Sequence, residues 1–215
     1  MDARLQKLID QIRRTAADAG GLLIPVSGGS DSALNFWLCA QAFPEKTLAV
    51  HAGANIRCRE WYNSVGPIVF INTPGKYAHR EEMRWGYFLA MSLNKNAWLV
   101  GSRNRTEDLL GTYSLASRVA TYLPLVNIWK SQVMELCREI GVPEEILTSS
   151  LRADPDCGRP PELAEISFVK IEAVLRSHEK SDVLATVSPQ ERAYLETLIK
   201  RNAFKRAIPI HGISL

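Results

Sequence analysis

The sequence predicts an α/β fold, a parallel sheet with helices on both faces and a helical C-terminal part. Short continuous apolar runs at 22–26, 47–51, 68–71 and 97–100 alternate with helical stretches, the pattern of strands buried on both faces. A Gly-rich turn, Ser27-Gly28-Gly29-Ser30-Asp31-Ser32, joins the first run to a helix. Beyond residue 129 the periodicity is helical only.

Taken in order, Leu5, Leu8, Ile9, Ile12 and Ala16 recur at helical spacing and predict a helix over 3–19, stopped by Gly20-Gly21. The strand at 22–26 follows. Residues 31–42 read as a helix, 47–51 and 68–71 as strands, 76–95 as a long helix and 97–100 as a fourth strand. Trp129, Val133, Leu136, Cys137 and Ile140 share one helical face, and Gly141 and Pro143 end that helix. Helices are expected over 161–176 and 188–204, with a Pro/Asp/Arg loop over 150–160. The tail IPIHGISL has no readable period.

The chain has 215 residues, 46% of them apolar and 23% charged, which is globular composition and argues against disorder. Its length and lack of repeats point to a single domain over 1–215. A net charge of +3 gives no electrostatic ground for a nucleic-acid partner, although Lys200, Arg201, Lys205 and Arg206 cluster near the end. No apolar run approaches the roughly 20 residues that span a bilayer. The N-terminus mixes acids and bases and lacks a signal-peptide core, so the expected location is cytoplasmic, with no membrane partner. Cys39, Cys58, Cys137 and Cys157 form no CxxC pair and have no histidine at ligand spacing, so they read as reduced thiols, with Cys39 and Cys137 on apolar helical faces.

Three stretches carry chemistry. Gly28 and Gly29 allow a sharp turn and close backbone approach to a ligand. The helix that follows offers free N–H groups and its positive dipole end, a site for a phosphate or pyrophosphate. Ser27, Ser30 and Ser32 add hydroxyls, and Asp31 can hold a hard cation such as Mg²⁺. No GxxxxGK[ST] run is present. The second stretch, Gly101 to Gly111, follows the fourth strand; Asn104 or Thr106 can cap the helix that Glu107 enters, and Asp31 and Glu107 can share one metal. In the third, Lys130 starts a helix against the dipole preference, which makes sense if its ammonium faces a triphosphate; the alternative is a solvated surface lysine. His51, at a strand's carboxyl end, reads as a structural histidine or a nucleotide contact. The five tryptophans read as core or interface fillers, and Trp61-Tyr62 and Trp85-Tyr87-Phe88 as cover for a dimer interface.

SGGSDS resembles the pyrophosphate loop of the PP-loop ATP pyrophosphatases. With GSRNRTEDLLG and LPLVNIWKSQVMELCREIGVPEEI after it, the order and wording are similar to ammonia-dependent NAD synthetases over residues 20–210. The resemblance implies a Rossmann-like fold of the adenine nucleotide alpha hydrolase type and a homodimer. It implies that Ser27, Gly28, Gly29, Ser30, Asp31, Ser32, Ser102 and Lys130 hold ATP, with Asp31 and Lys130 catalytic, and that Asp31 and Glu107 bind Mg²⁺. The implied reaction is an ATP-dependent ligation: deamido-NAD's carboxylate attacks the α-phosphate, pyrophosphate leaves, and ammonia displaces AMP to give the amide.

The departures concern the acyl substrate. Where the family carries a Lys and a GDGGxD run, this chain has TYSLASRVATYL, and the family's His-Lys is Phe204-Lys205. The family's substrate-binding Arg falls near Glu82, flanked by Arg80 and Arg84; Arg152 stands at a small hydroxyl position, and 50–76 is short. Arg84, Arg118, Arg152, Arg159 and Lys205 are therefore candidate contacts for an anionic substrate. The alternative reading is a divergent PP-loop adenylating enzyme acting on a different carboxylate or nucleophile. At this length a glutaminase domain is not expected, so ammonia would be free or delivered by a partner.

Overall fold

All four apolar runs are parallel strands in the computed structural model, which describes residues 2–72, 80–151, 161–176 and 182–207. They are β1 (Leu22–Pro25), β2 (Thr47–Ala52), β3 (Ile68–Ile71) and β4 (Trp98–Leu99), in the order β3-β2-β1-β4. Leu23 of β1 pairs in register with Leu48 on one side and Leu99 on the other. The sheet therefore grows outward from β1 in both directions, and the crevice at the carboxyl ends of β1 and β4 is where ligands collect in such sheets.

The pleat sorts the core into two layers. Leu22 and Ile24 point to one face, packed with Leu5, Ile9 and Ile12 of α1 (Ala3–Thr15), Phe36 and Leu38 of α2 (Ser30–Ala42), and Leu136 of α6 (Lys130–Glu139). Leu23, Val50 and Leu99 point to the other face, against Phe88 and Trp85 of α4 (Glu81–Asn94). A third cluster, Leu110, Leu163, Ile171, Leu195 and Leu198, joins α5 (Arg105–Leu110), α8 (Pro161–Ala164), α9 (Phe168–Leu175) and α10 (Pro189–Asn202). Two shorter helices, α3 (Arg59–Val65) and α7 (Glu144–Ser149), complete the α-helical set among the described residues. Among the described residues of the second half, 3₁₀ turns fall at Leu115–Val119, Asp182–Thr186 and Ala203–Arg206. No helix among the described residues is long and apolar enough to cross a membrane.

Several expected boundaries shift. The first helix ends at Thr15 rather than 19, because the backbone at Ala16 leaves helical values as the chain doubles back into β1. The expected helix over 161–176 is two helices: Ser167 is extended (φ −64, ψ 147) and its hydroxyl accepts from the Lys170 N–H, starting a new helix at Phe168. Ser188 caps α10 in the same way, with Glu191 reaching back to its N–H. The helix expected over 76–95 starts at Glu81, and 76–79 lie outside the described residues, as do 152–160 and the tail from 208. Tyr62 is not an interface residue; it is fully buried and stacks on Phe36 at 6.4 Å between centroids. Cys39 and Cys137 are buried and Cys58 half-buried, all three free; burial pushes the Cys137 thiol up to about 12, so it is inert. Cys157 lies outside the described residues.

Gly111 ends α5 with φ +67, and a Cβ there would sit 2.4 Å from the Asn202 Cβ of α10. Asn202 donates to the Leu110 carbonyl at 3.0 Å, so the contact locks α5 to α10. Gly111→Ala is expected to destabilise the fold by more than about 1 kcal/mol in urea titration; an unchanged midpoint would contradict this packing.

Candidate active site

Ser27 to Ser32 forms the turn from β1 into α2. Gly28 sits at φ +89, a conformation that side chains disfavour, and a Cβ there would meet only Ile56, at 3.5 Å. The glycine is thus required by the backbone, and the corner beside it stays open. Gly29 is the N-cap of α2 and carries no capping side chain. The Ser30 N–H is taken by the Ser150 hydroxyl at 2.8 Å. Ser32 donates to the Gly29 carbonyl at 3.0 Å and accepts from the Ser27 N–H at 3.2 Å, which sets the loop shape.

An open cleft of about 340 Å³ lies over this corner, a size suited to a small-molecule site. Ser27, Gly29, Asp31, Ser32, Ser102 and Glu107 line one part of it, and Arg84, Trp85, Phe88, Arg103 and Tyr113 another. The SGGSDS loop and the stretch after β4 therefore meet in one place. Asn35, buried in α2, donates to the Val100 and Gly101 carbonyls and to the Ser102 hydroxyl at 3.2–3.4 Å, tying that stretch to α2.

The Asp31 carboxylate is held from two sides. Asn104 donates to its Oδ1 at 2.8 Å, and the Lys130 ammonium donates to its Oδ2. Lys130 is 4% exposed and also donates to the Ser30 hydroxyl at 2.7 Å. The surface alternative for Lys130 is thereby overturned. A buried ammonium needs a carboxylate partner, and Asp31 supplies it. The Ser30 hydroxyl, expected to face ATP, instead turns inward to Lys130 and is fully buried. Asn104 is the N-cap of α5: its Oδ1 accepts from the Glu107 N–H at 2.9 Å, while Glu107 accepts from the Asn104 N–H at 3.2 Å. One asparagine thus orients both cleft carboxylates.

Burial, and next the negative charge of Asp31, push the Glu107 carboxyl up to about 7 from its ordinary 4.5. A divalent cation between the two carboxylates would remove that repulsion, so Asp31 and Glu107 fit a hard-metal pair that leaves other positions to phosphate oxygens and water. Among the described residues no third His, Cys, Asp or Glu joins them.

Other candidates scatter. Arg84 lines the cleft, half-buried. His51 also lines it, but its Nδ1 donates to the Val26 carbonyl at 2.7 Å and its ring packs edge-on to Phe70, so its orientation is structurally fixed. Lys205 is not in this cleft. Its ammonium donates to the Gly111 and Tyr113 carbonyls at 2.7 and 2.9 Å, beside an adjoining cavity of about 280 Å³. Arg118 does not line the cleft either; it donates to the Lys205 carbonyl. Both cations donate to backbone carbonyls. Arg152 and Arg159 lie outside the described residues. Trp85, expected at an interface, turns to the cleft and packs edge-on to Phe88. Sequence reasoning did not find Asn35, Ser150, Arg103 or Tyr113; Asn104 was legible as a cap, but not as a partner of Asp31.

A glycine-rich strand-to-helix turn, two carboxylates and a buried lysine at the carboxyl ends of parallel strands define a nucleotide-binding α/β protein of the PP-loop kind. The sequence model of the NAD synthase family matches residues 73–209, and the chain belongs to that family. It is 28% identical, over 94% of each chain, to an NH3-dependent NAD(+) synthetase of Methanosarcina mazei, and 29% identical, again over 94% of each, to that of Methanosarcina acetivorans. Its fold is similar to an NH3-dependent NAD synthetase of Campylobacter jejuni (TM-score 0.76, 22% identity, 99% and 100% of the two chains). It is also similar to an NMN synthetase of Francisella tularensis (TM-score 0.79, 22% identity, 98% and 97%).

The raised Glu107 carboxyl has a sign. Native protein binds its proton more tightly than unfolded chain does, so metal-free stability falls as pH rises from about 4.5 to about 7 and levels off above. Urea titration in chelator should show this fall, and Glu107→Gln should flatten it. A wild-type profile already as flat as the variant's would contradict the assigned environment.

Proposed function

We propose that this chain is an ATP-dependent carbon–nitrogen ligase that converts deamido-NAD and ammonia into NAD, releasing AMP and pyrophosphate. The observation that carries the reading is the convergence of Ser27, Gly29, Asp31, Ser32 and Glu107 on one open cleft, with the buried Lys130 bonded to Asp31. Family membership supports the same chemistry, and the comparisons do not favour the alternative of a different carboxylate or nucleophile.

The reaction has two displacements. The substrate carboxylate attacks the α-phosphorus of ATP, the α–β bridging bond breaks, and pyrophosphate leaves. Ammonia then attacks the carbonyl carbon of the acyl-adenylate, the bond to AMP oxygen breaks, and a proton is lost from nitrogen. Such chemistry requires positioning and charge neutralisation more than a covalent protein nucleophile. In this reading the Gly28–Gly29 backbone and the first turn of α2 receive the β- and γ-phosphates, which become the leaving pyrophosphate. Ser27, Ser32 and Ser102 add hydroxyls from the cleft wall. Lys130 fixes Asp31 by direct contact and brings positive charge beneath the phosphates. Asp31 and Glu107 would hold Mg²⁺, which neutralises phosphate charge when bound. Arg84 is a candidate for the anionic substrate. The reading takes residues 1–215 as one domain, acting as a homodimer in the cytoplasm with free ammonia.

Incubation with Mg²⁺, ATP, deamido-NAD and ammonium should give NAD, AMP and pyrophosphate in equal amounts; formation of ADP would contradict the reading. Asp31→Ala is expected to lower kcat/KM for ATP by about 100-fold or more, since it removes a cleft carboxylate and strands the Lys130 ammonium.

A further inference from the structure

Glu172 is a buried carboxylate that the proposed reaction does not use. It lies on α9, in the helical C-terminal part, and its side chain is 5% exposed. Its Oε1 accepts from the Thr106 hydroxyl at 3.0 Å and the Ser131 N–H at 2.9 Å. Its Oε2 accepts from the Ser131 hydroxyl at 2.5 Å and, more distantly, from Arg176 at 3.4 Å. Thr106 in turn accepts from the Lys130 N–H at 3.0 Å.

These contacts solve a local problem. The helix α6 begins with Lys130 and has Trp129 as N-cap, which brings no capping oxygen to the first amides. The first two helical N–H groups, on Lys130 and Ser131, are satisfied instead from outside, by Thr106 of α5 and Glu172 of α9. A carboxylate at a helix N-terminus is also favoured by the dipole, which offsets the unfavourable lysine there. Lys130 is the residue whose ammonium holds Asp31 and Ser30. Its backbone is thus fixed by α5 and α9, while its side chain reaches α2.

We propose that Glu172 is a positioning residue for ATP binding. By capping α6 from α9, it sets where Lys130 delivers its charge to Asp31, and it couples the C-terminal helices to the phosphate site. The inference rests on the ATP-binding part of the function proposed above, and not on which acid is adenylated.

The test is a double-mutant cycle read by calorimetric binding of Mg·ATP, without acyl substrate or ammonia. Glu172→Gln keeps the side chain's size but loses the charge and one acceptor. It is expected to weaken Mg·ATP binding about 10-fold in the wild-type background, and less than about 2-fold in a Lys130→Ala background, where nothing is left to position. Equal weakening in both backgrounds would mean a merely structural role and overturn the proposal; so would unchanged binding by a folded variant. Should Glu172→Gln fail to fold by circular dichroism, Ser131→Ala, which removes only the bond to Oε2, serves in the same cycle. It is expected to weaken binding about 3-fold with the same dependence on Lys130, and additivity would again overturn the proposal. Wild-type protein that binds Mg·ATP but makes no NAD overturns the amidation reading and leaves this inference standing. Wild-type protein that binds no Mg·ATP overturns both.

Discussion

The contact between the Lys130 ammonium and the Asp31 carboxylate governs this molecule's functional end. An ammonium that is almost wholly removed from water is costly unless it is paired and hydrogen-bonded. Asp31, Ser30 and the capped start of α6 meet that requirement together. The pair brings the N-termini of α2 and α6 to one corner, where the α2 dipole is available to an anion, while the first amides of α6 are already taken by Thr106 and Glu172. Removing either charge would leave the other buried and unpaired, which links stability to function at this point.

Around that pair the fold supplies rigidity by short polar links. Asn104 donates its side-chain amide to the Asp31 carboxylate and its backbone N–H to the Glu107 carboxylate. Asn35 ties the stretch after β4 to α2, and Ser150 caps α2 from the end of α7. Apart from the Asn104 cap on Glu107, each link joins elements distant in sequence, so the cleft draws on much of the fold. Where those links fill space, Gly28 leaves it empty, because its backbone adopts a conformation that excludes side chains.

The sheet was legible in the sequence because strands covered on both faces are unbroken apolar runs: Leu22, Leu23 and Ile24 of β1 are all buried, and the half-buried edge run Ile68-Val69-Phe70-Ile71 begins and ends where expected. The turn between β1 and α2 was legible because two glycines after a strand have few other uses. The break at Ser167 was not, since the apolar spacing of Ile166, Ile171 and Val174 runs across it and only a hydroxyl's bond to Lys170 interrupts the helix. Lys130 was legible as an oddity at a helix start, but its burial depends on Asp31, 99 positions away. Arg118 and Lys205 were drawn to the site by their charge, yet charge alone does not distinguish a cation facing a ligand from one facing a backbone carbonyl. Glu172 carried no signal, because a single acid within an apolar helix gives no hint of the amides it caps.

The proposed chemistry requires that the Gly28–Gly29 corner receive the phosphates of ATP. A crystal structure with Mg²⁺ and an ATP analogue that cannot be cleaved between its α- and β-phosphates tests it most directly. The β- and γ-phosphates are expected against the backbone of the Gly28–Gly29 turn, with the metal between Asp31 and Glu107. A nucleotide bound instead beside Lys205, or one with its phosphates turned away from the start of α2, would contradict it.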